Sequence, residues 1–121
     1  MRVIIAGSRN IDNYDTVKEA IKKSGFEITT VISGGARGVD RLGEKYYYEN
    51  NLKIQIFPAD WNQHGKSAGY IRNKKMIDVA DALIAVWDGQ SKGTKHTINL
   101  ANEKGIPVFI LNPNVKGQTQ K

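Results

Sequence analysis

Ile32-Ser33-Gly34-Gly35-Ala36-Arg37-Gly38-Val39-Asp40 decides how the rest of this chain is read. The β-branched run 28–32 stops at Ser33, three glycines follow within five residues, and Val39, Leu42 and Tyr46 then recur at helical spacing. Apolar residues at i, i+3 and i+7 make one face of a helix. The stretch therefore reads as strand, glycine turn, helix. That order points free backbone N–H groups and the positive end of a helix dipole at the carboxyl end of a strand, where an anion binds. Glycine suits the turn because a side chain would hold the anion away from the backbone. A tight turn with no ligand is the plainer alternative.

The same alternation extends in both directions. Residues 2–7 form a continuous apolar strand ending in Gly7-Ser8-Arg9. Continuous rather than alternating apolarity marks a strand buried on both faces. Asp12 and Asn13 are N-cap candidates for a helix that ends at Gly25, with Tyr14, Val17 and Ile21 inward. The second helix runs to about Asn50, a strand covers 53–57, and 59–66 carries no period and reads as loop. A helix follows over 67–80, a strand over 82–87, and a second glycine loop over 88–93. Thr94 is placed to cap the last helix, which stops at Gly105 before a final strand, 106–111. One domain over 1–112 and a polar, poorly ordered tail over 113–121 are expected. Strands alternating with helices predict a Rossmann-like α/β fold. It is an open parallel sheet of about five strands in the order 3-2-1-4-5, with helices on both faces. Its switch point lies between strands one and four, where such sheets bind ligands.

Composition narrows the function classes. The chain has 121 residues, 40% of them hydrophobic, and no run near the ~20 apolar residues of a membrane helix. The opening Met1-Arg2-Val3-Ile4-Ile5-Ala6 is too short for a signal-peptide core and reads as strand. Cysteine is absent, which excludes disulfides and thiolate metal sites and fits a cytoplasmic location. A net charge of +6 favours an anionic partner, a phosphate-containing small molecule or nucleic acid. The lysines are scattered among Glu19, Glu44, Glu49 and Glu103 rather than gathered in a stripe, so nucleic acid is the less favoured partner.

Four strand ends deliver polar groups to one edge: Ser8 and Arg9, Ser33 with the glycines, Asp60-Trp61, and the loop from Asp88 to Thr94. Arg9 suits bidentate contact with phosphate or carboxylate, and a solvated loop arginine is its alternative. Asp40 either complements the helix dipole, the preferred role, or accepts from a ribose hydroxyl. Arg72 shares a helix face with Ala68, Met76, Val79 and Ala80. A charge on an apolar stripe calls for a partner, so Arg72 reads as a ligand or carboxylate contact. Asp88 sits where an acid can orient water or accept from ribose, or simply form a turn with Gly89. The loop Gly89-Gln90-Ser91-Lys92-Gly93-Thr94 is suited to wrap a second phosphate, though it lacks the Gly-Lys-Ser/Thr order of a P-loop. The first loop lacks a full G-x-G-x-x-G, which argues against a nicotinamide dehydrogenase. Trp61 is placed to stack on a base, whereas Trp87 is expected in the core. His64 and His96 stand alone, so no metal is predicted.

Ile5-Ala6-Gly7-Ser8-Arg9, the stretch 33–40, Ala68-Gly69-Tyr70-Ile71-Arg72-Asn73 with Met76, Ala80-Asp81 and the stretch 87–94 together resemble DUF2493, the YspA/YpsA-related branch of the SLOG superfamily. That superfamily also holds the LOG phosphoribohydrolases and the DNA-processing protein DprA. The resemblance covers about residues 2–111. It implies a Rossmann-like fold and a pocket for a nucleotide or nucleotide-derived ligand. Joined with the reading above, it gives an expected ligand set of Gly7, Ser8, Arg9, Ser33, Gly34, Gly35, Gly38, Asp40, Arg72, Asn73, Asp88, Gly89, Ser91, Lys92, Gly93 and Thr94. LOG enzymes carry a Gly-Gly-x-Gly-Thr-x-x-Glu motif whose glutamate serves N-glycosidic cleavage. Thr97 stands at that position here, so such cleavage does not carry over by resemblance. Binding or sensing of a nucleotide-derived molecule is the leading expectation. N-glycosidic hydrolysis and nucleic-acid binding are the alternatives, and a homodimer is left open.

Overall fold

The computed structural model describes residues 1–114 and 119–120. Strands β1 (Arg2–Gly7), β2 (Thr30–Ser33), β3 (Lys53–Ile56), β4 (Ala82–Val86) and β5 (Val108–Leu111) alternate with helices α1 (Tyr14–Ser24), α2 (Val39–Glu49), α3 (Trp61–His64), α4 (Ala68–Val79) and α5 (Lys92–Lys104). The strands lie in the order β3-β2-β1-β4-β5, all parallel, as the alternation predicts. β1 is central, with Val3 and Ile4 paired to Val31 and Ile32 on one side and to Ala82 and Leu83 on the other.

Both faces of the sheet are covered, which is why its inner strands read as unbroken apolar runs. Val3 and Ile5 point into one core with Val17, Ala20 and Ile21 of α1 and Val39 of α2. Ile4 and Ala6 point into the other, with Met76 and Ile77 of α4 and Ile98 and Ala101 of α5. Asn13 caps α1, its Oδ1 accepting from the Asp15 and Thr16 N–H groups at 3.0 and 3.4 Å. Gly25 and Gly105, both left-handed, stop α1 and α5.

The fold departs from the sequence expectations in several places. Residues 59–66 are not plain loop: α3 and a 3₁₀ turn, Gly65–Ser67, lie there. Four residues are too few to show a period, though the cap is visible, since Asp60 Oδ1 accepts from the Gln63 N–H at 3.0 Å. Thr94 does not cap α5. The helix already begins at Lys92, after Ser91. Trp87 does pack against the second core, as expected, but is only partly buried, and it donates from Nε1 to the Ser91 carbonyl at 3.0 Å. The expected tail contributes a short strand β6 (Thr119–Gln120), antiparallel to β5, while 115–118 and 121 lie outside the described residues.

Candidate functional site

The carboxyl ends of β1, β2 and β3 open on a cleft of about 580 Å³ lined by Arg9, Gly34, Gly35, Ala36, Arg37, Arg41, Glu44, Ile56, Pro58, Ala59, Trp61 and Arg72. A smaller hollow of about 60 Å³ adjoins it at the β1/β4 switch point, walled by Gly7, Asp40, Asn73, Ser91, Gly93, Thr94 and Thr97 among others. Arg9, Ala36 and Arg72 belong to both walls. The larger space therefore lies to the β2/β3 side of the switch point, not on it.

The first glycine loop is built around Gly34. A Cβ there would stand 2.6 Å from Arg72 Nη1 and 2.9 Å from Asp40 Oδ2, so only glycine leaves room for the two charges to face each other. Arg72 reaches the loop from α4, donating from Nη1 to the Gly34 carbonyl at 2.5 Å and from Nε to Asn73 Oδ1 at 3.0 Å. Asn73 in turn donates to the Gly93 carbonyl at 3.3 Å and lies 3.2 Å from His96 Nδ1. One buried amide thus ties α4 to the start of α5. Gly38 has φ +78°, and a Cβ on it would meet the Ser8 and Arg9 carbonyl oxygens at 2.5 and 2.6 Å. The turn presses directly on the loop after β1.

The free amides expected of this turn are partly claimed from within. Gly35 N–H donates to Ser33 Oγ at 3.1 Å, Ala36 N–H to Asp40 Oδ2 at 3.2 Å, and Val39 N–H to the Ser8 carbonyl at 3.4 Å. What distinguishes the cleft is its charge. Arg9, Arg37, Arg41 and Arg72 line it with a single acid, Glu44, whose Oε1 lies 3.7 Å from Arg41 Nη1. Burial pushes the Asp40 carboxyl up to about 6, against the opposing pull of the Ala36 N–H and of Arg72. Burial also lowers the Arg72 guanidinium from its ordinary value, while Asp40 works the other way. Together these mark a desolvated charge pair at the rim of an accessible cationic cleft.

The structure divides the expected ligand set. Arg9, Gly34, Gly35 and Arg72 meet in the cleft, while Gly7, Asp40, Asn73, Ser91, Gly93 and Thr94 meet at the hollow beside it. Neither wall includes Ser8, Ser33, Gly38, Asp88, Gly89 or Lys92. Ser8 is buried and its Oγ accepts from the Asp88 N–H at 3.0 Å, joining the loops after β1 and β4. Asp88 folds its carboxylate back on the Gln90 and Ser91 N–H groups at 2.8 and 2.9 Å, which hold it below the usual carboxylate range. Arg37, Arg41 and Glu44 are absent from the expected set; Arg37 belongs to the glycine turn itself, and Arg41 and Glu44, three residues apart, share one side of α2. Among the described residues no group of three or more His, Cys, Asp or Glu is placed to hold a metal, and no helix is long and apolar enough to cross a membrane.

Comparison with known proteins agrees with this architecture. The Gene 61 protein of Mycobacterium phage D29 is 34% identical over 118 residues, spanning 89% of this chain and 94% of that protein. The X-ray structure of DNA processing protein A (DprA) from Streptococcus pneumoniae matches with a TM-score of 0.75 at 18% identity, covering 96% of this chain. The chain spans only 52% of that DprA chain, and the likeness is one of fold. The YspA, cpYpsA-related SLOG family matches residues 1–64, which carry β1, the first glycine loop and most of the cleft. Given that match and the extent of the phage relative, the chain belongs to the YspA, cpYpsA-related SLOG family.

Proposed function

We propose that this protein binds a nucleotide or nucleotide-derived phosphate compound in the cleft over β2 and β3. The observation that carries the reading is the ring of Arg9, Arg37, Arg41 and Arg72 around an accessible space with exposed Trp61 on its rim. Guanidinium groups grip phosphate oxygens bidentately, and an indole offers a stacking face to a base. The volume, about 580 Å³, is within the range of small-molecule sites. Membership in a SLOG family and a DprA-like fold fit nucleotide or nucleic-acid related roles.

A calorimetric titration with AMP, ADP and inorganic phosphate tests this reading. The expected outcome is saturable binding that the Arg9→Ala/Arg37→Ala double variant weakens by at least about tenfold, each lost charge-assisted bond being of order 1.5–3 kcal/mol. Unchanged affinity in the double variant contradicts the proposal.

One observation favours a second reading, hydrolysis. Asp40 is the sole acid on the wall of the small hollow, and its carboxyl titrates at about 6, suited to proton transfer near neutral pH. Against it, Oδ2 is occupied by the Ala36 N–H, and Thr97 spends its hydroxyl on the Gly93 carbonyl at 3.1 Å. Product analysis after incubation with AMP separates the readings. Binding alone leaves the nucleotide intact, whereas release of free adenine that Asp40→Asn abolishes supports the hydrolase. Nucleic acid remains the third partner class, to be recognised by affinity that falls steeply with salt.

A further inference from the structure

We infer that Glu44 reads a sugar hydroxyl of the ligand, so that the cleft selects a ribose-bearing phosphate compound over bare phosphate or a deoxy analogue. The inference rests on the proposed phosphate site and adds the group that discriminates within it.

Glu44 is the one acid among the residues that line the cleft with the four arginines, Asp40 lying buried behind Gly34 on the side of the smaller hollow. A carboxylate in that place repels phosphate, so as a neutral filler it only weakens the site. Its geometry is fixed rather than loose. Oε2 accepts from Ser33 Oγ at 2.8 Å, and Ser33 is fully buried at the end of β2, where its Oγ also receives the Gly35 N–H at 3.1 Å. The Glu44 side chain is 18% exposed, so it is held in the wall with part of its surface open to the cleft. Oε1 is the oxygen left over. Its nearest cation, Arg41 Nη1, lies at 3.7 Å, beyond hydrogen-bond reach, on a side chain that is 67% exposed.

An oriented carboxylate oxygen with spare lone pairs takes a donor. An ammonium donor is disfavoured, because the same walls carry four guanidinium groups. A neutral hydroxyl meets no such repulsion and forms a short, charge-assisted O–H···O⁻ bond. Position favours the sugar over the base as its source. A phosphate held by Arg41 lies within a few ångströms of Glu44, and in a nucleotide the hydroxyl donors nearest the phosphate are those of the ribose. The apolar rim of Ile56, Pro58 and Trp61 remains for the base.

The test is calorimetry with AMP, 2′,3′-dideoxy-AMP and inorganic phosphate on the intact protein and on Glu44→Gln, which keeps the shape and an acceptor for Ser33. The intact protein is expected to bind AMP about 10- to 100-fold more tightly than dideoxy-AMP, the range of one charge-assisted hydrogen bond. In Glu44→Gln that ratio shrinks below about threefold while affinity for inorganic phosphate rises, since the repelling charge is gone. Equal affinity for AMP and dideoxy-AMP in the intact protein overturns the inference and leaves the phosphate site standing. So does a Glu44→Gln variant that loses affinity for all three probes alike, which marks a purely structural glutamate. If none of the probes binds the intact protein, the phosphate site and this inference fall together.

Discussion

Loop 34–38 and loop 88–91 both leave the carboxyl end of a buried parallel strand, both contain glycine at positive φ, and both run into a helix. Their surroundings differ. The loop after β4 closes on itself: Asp88 takes the Gln90 and Ser91 N–H groups, and the cation that follows it, Lys92 at the start of α5, lies exposed outside both hollows. The loop after β2 also satisfies some of its own amides, but arginines from the β1 loop, from its own turn and α2, and from α4 converge on it. Glycine decides where a backbone can turn tightly. Whether the turn faces an anion depends on charge brought in from elsewhere in the fold.

The largest expected effect comes from the glycines themselves. Gly38→Ala forces a positive φ on a side chain and drives it into the Ser8 and Arg9 carbonyls at 2.5 and 2.6 Å. It should cost at least about 3 kcal/mol by denaturant unfolding. Gly93, just past the other loop in the first turn of α5, has nothing within 4 Å of its would-be Cβ. Gly93→Ala should be neutral or stabilising by up to about 1 kcal/mol. Equal effects at the two positions would break the contrast between the loops.

The second effect sharpens the electrostatic half of the contrast. Asp40 titrates at about 6 in the fold, against an ordinary value of 3.8 for the free side chain. The folded state therefore binds the proton more tightly than the unfolded chain does. Its contribution to stability is full below about pH 4 and is lost as pH rises through 6, by about 3 kcal/mol in total. Asp40→Asn keeps an acceptor for the Ala36 N–H and carries no titrating group, so its stability relative to the parent should climb by that order between pH 4 and 7. Parallel pH profiles for the two proteins would contradict the assignment. Asp88 is partly buried, and its lowered value comes first from the Gln90 and Ser91 N–H groups. Asp88→Ala should cost about 1 kcal/mol through its lost turn hydrogen bonds and leave nucleotide affinity unchanged. Weaker binding in that variant would move the site to the second loop.

The strand order was legible because burial on both faces writes itself as the continuous runs 3–6 and 82–86. Helix ends were legible where a cap carries the signal, as Asn13 and Gly25 do. α3 was not, because one turn of helix between a proline and a glycine shows no period. Arg72 stood out in sequence as a charge on an apolar stripe. Its contact, however, is a backbone carbonyl, that of Gly34, and carbonyls look alike at every residue. Arg37, Arg41 and Glu44 carry no such mark in the sequence. Only the fold reveals that the three meet Ile56 and Trp61 around one cleft. Asp88 shows the converse, a residue of promising chemistry in a loop that folds back on itself.

The central claim, that the first loop and its arginines form the phosphate site, is tested most directly by titrating ¹⁵N-labelled protein with ADP and following backbone amide and arginine Nε signals. The account predicts saturable shifts at Gly34–Gly38 and at Arg9, Arg37, Arg41 and Arg72, with Gly89 and Gln90 nearly silent. Shifts concentrated at Gly89–Gly93, with the four arginines unmoved, would contradict it.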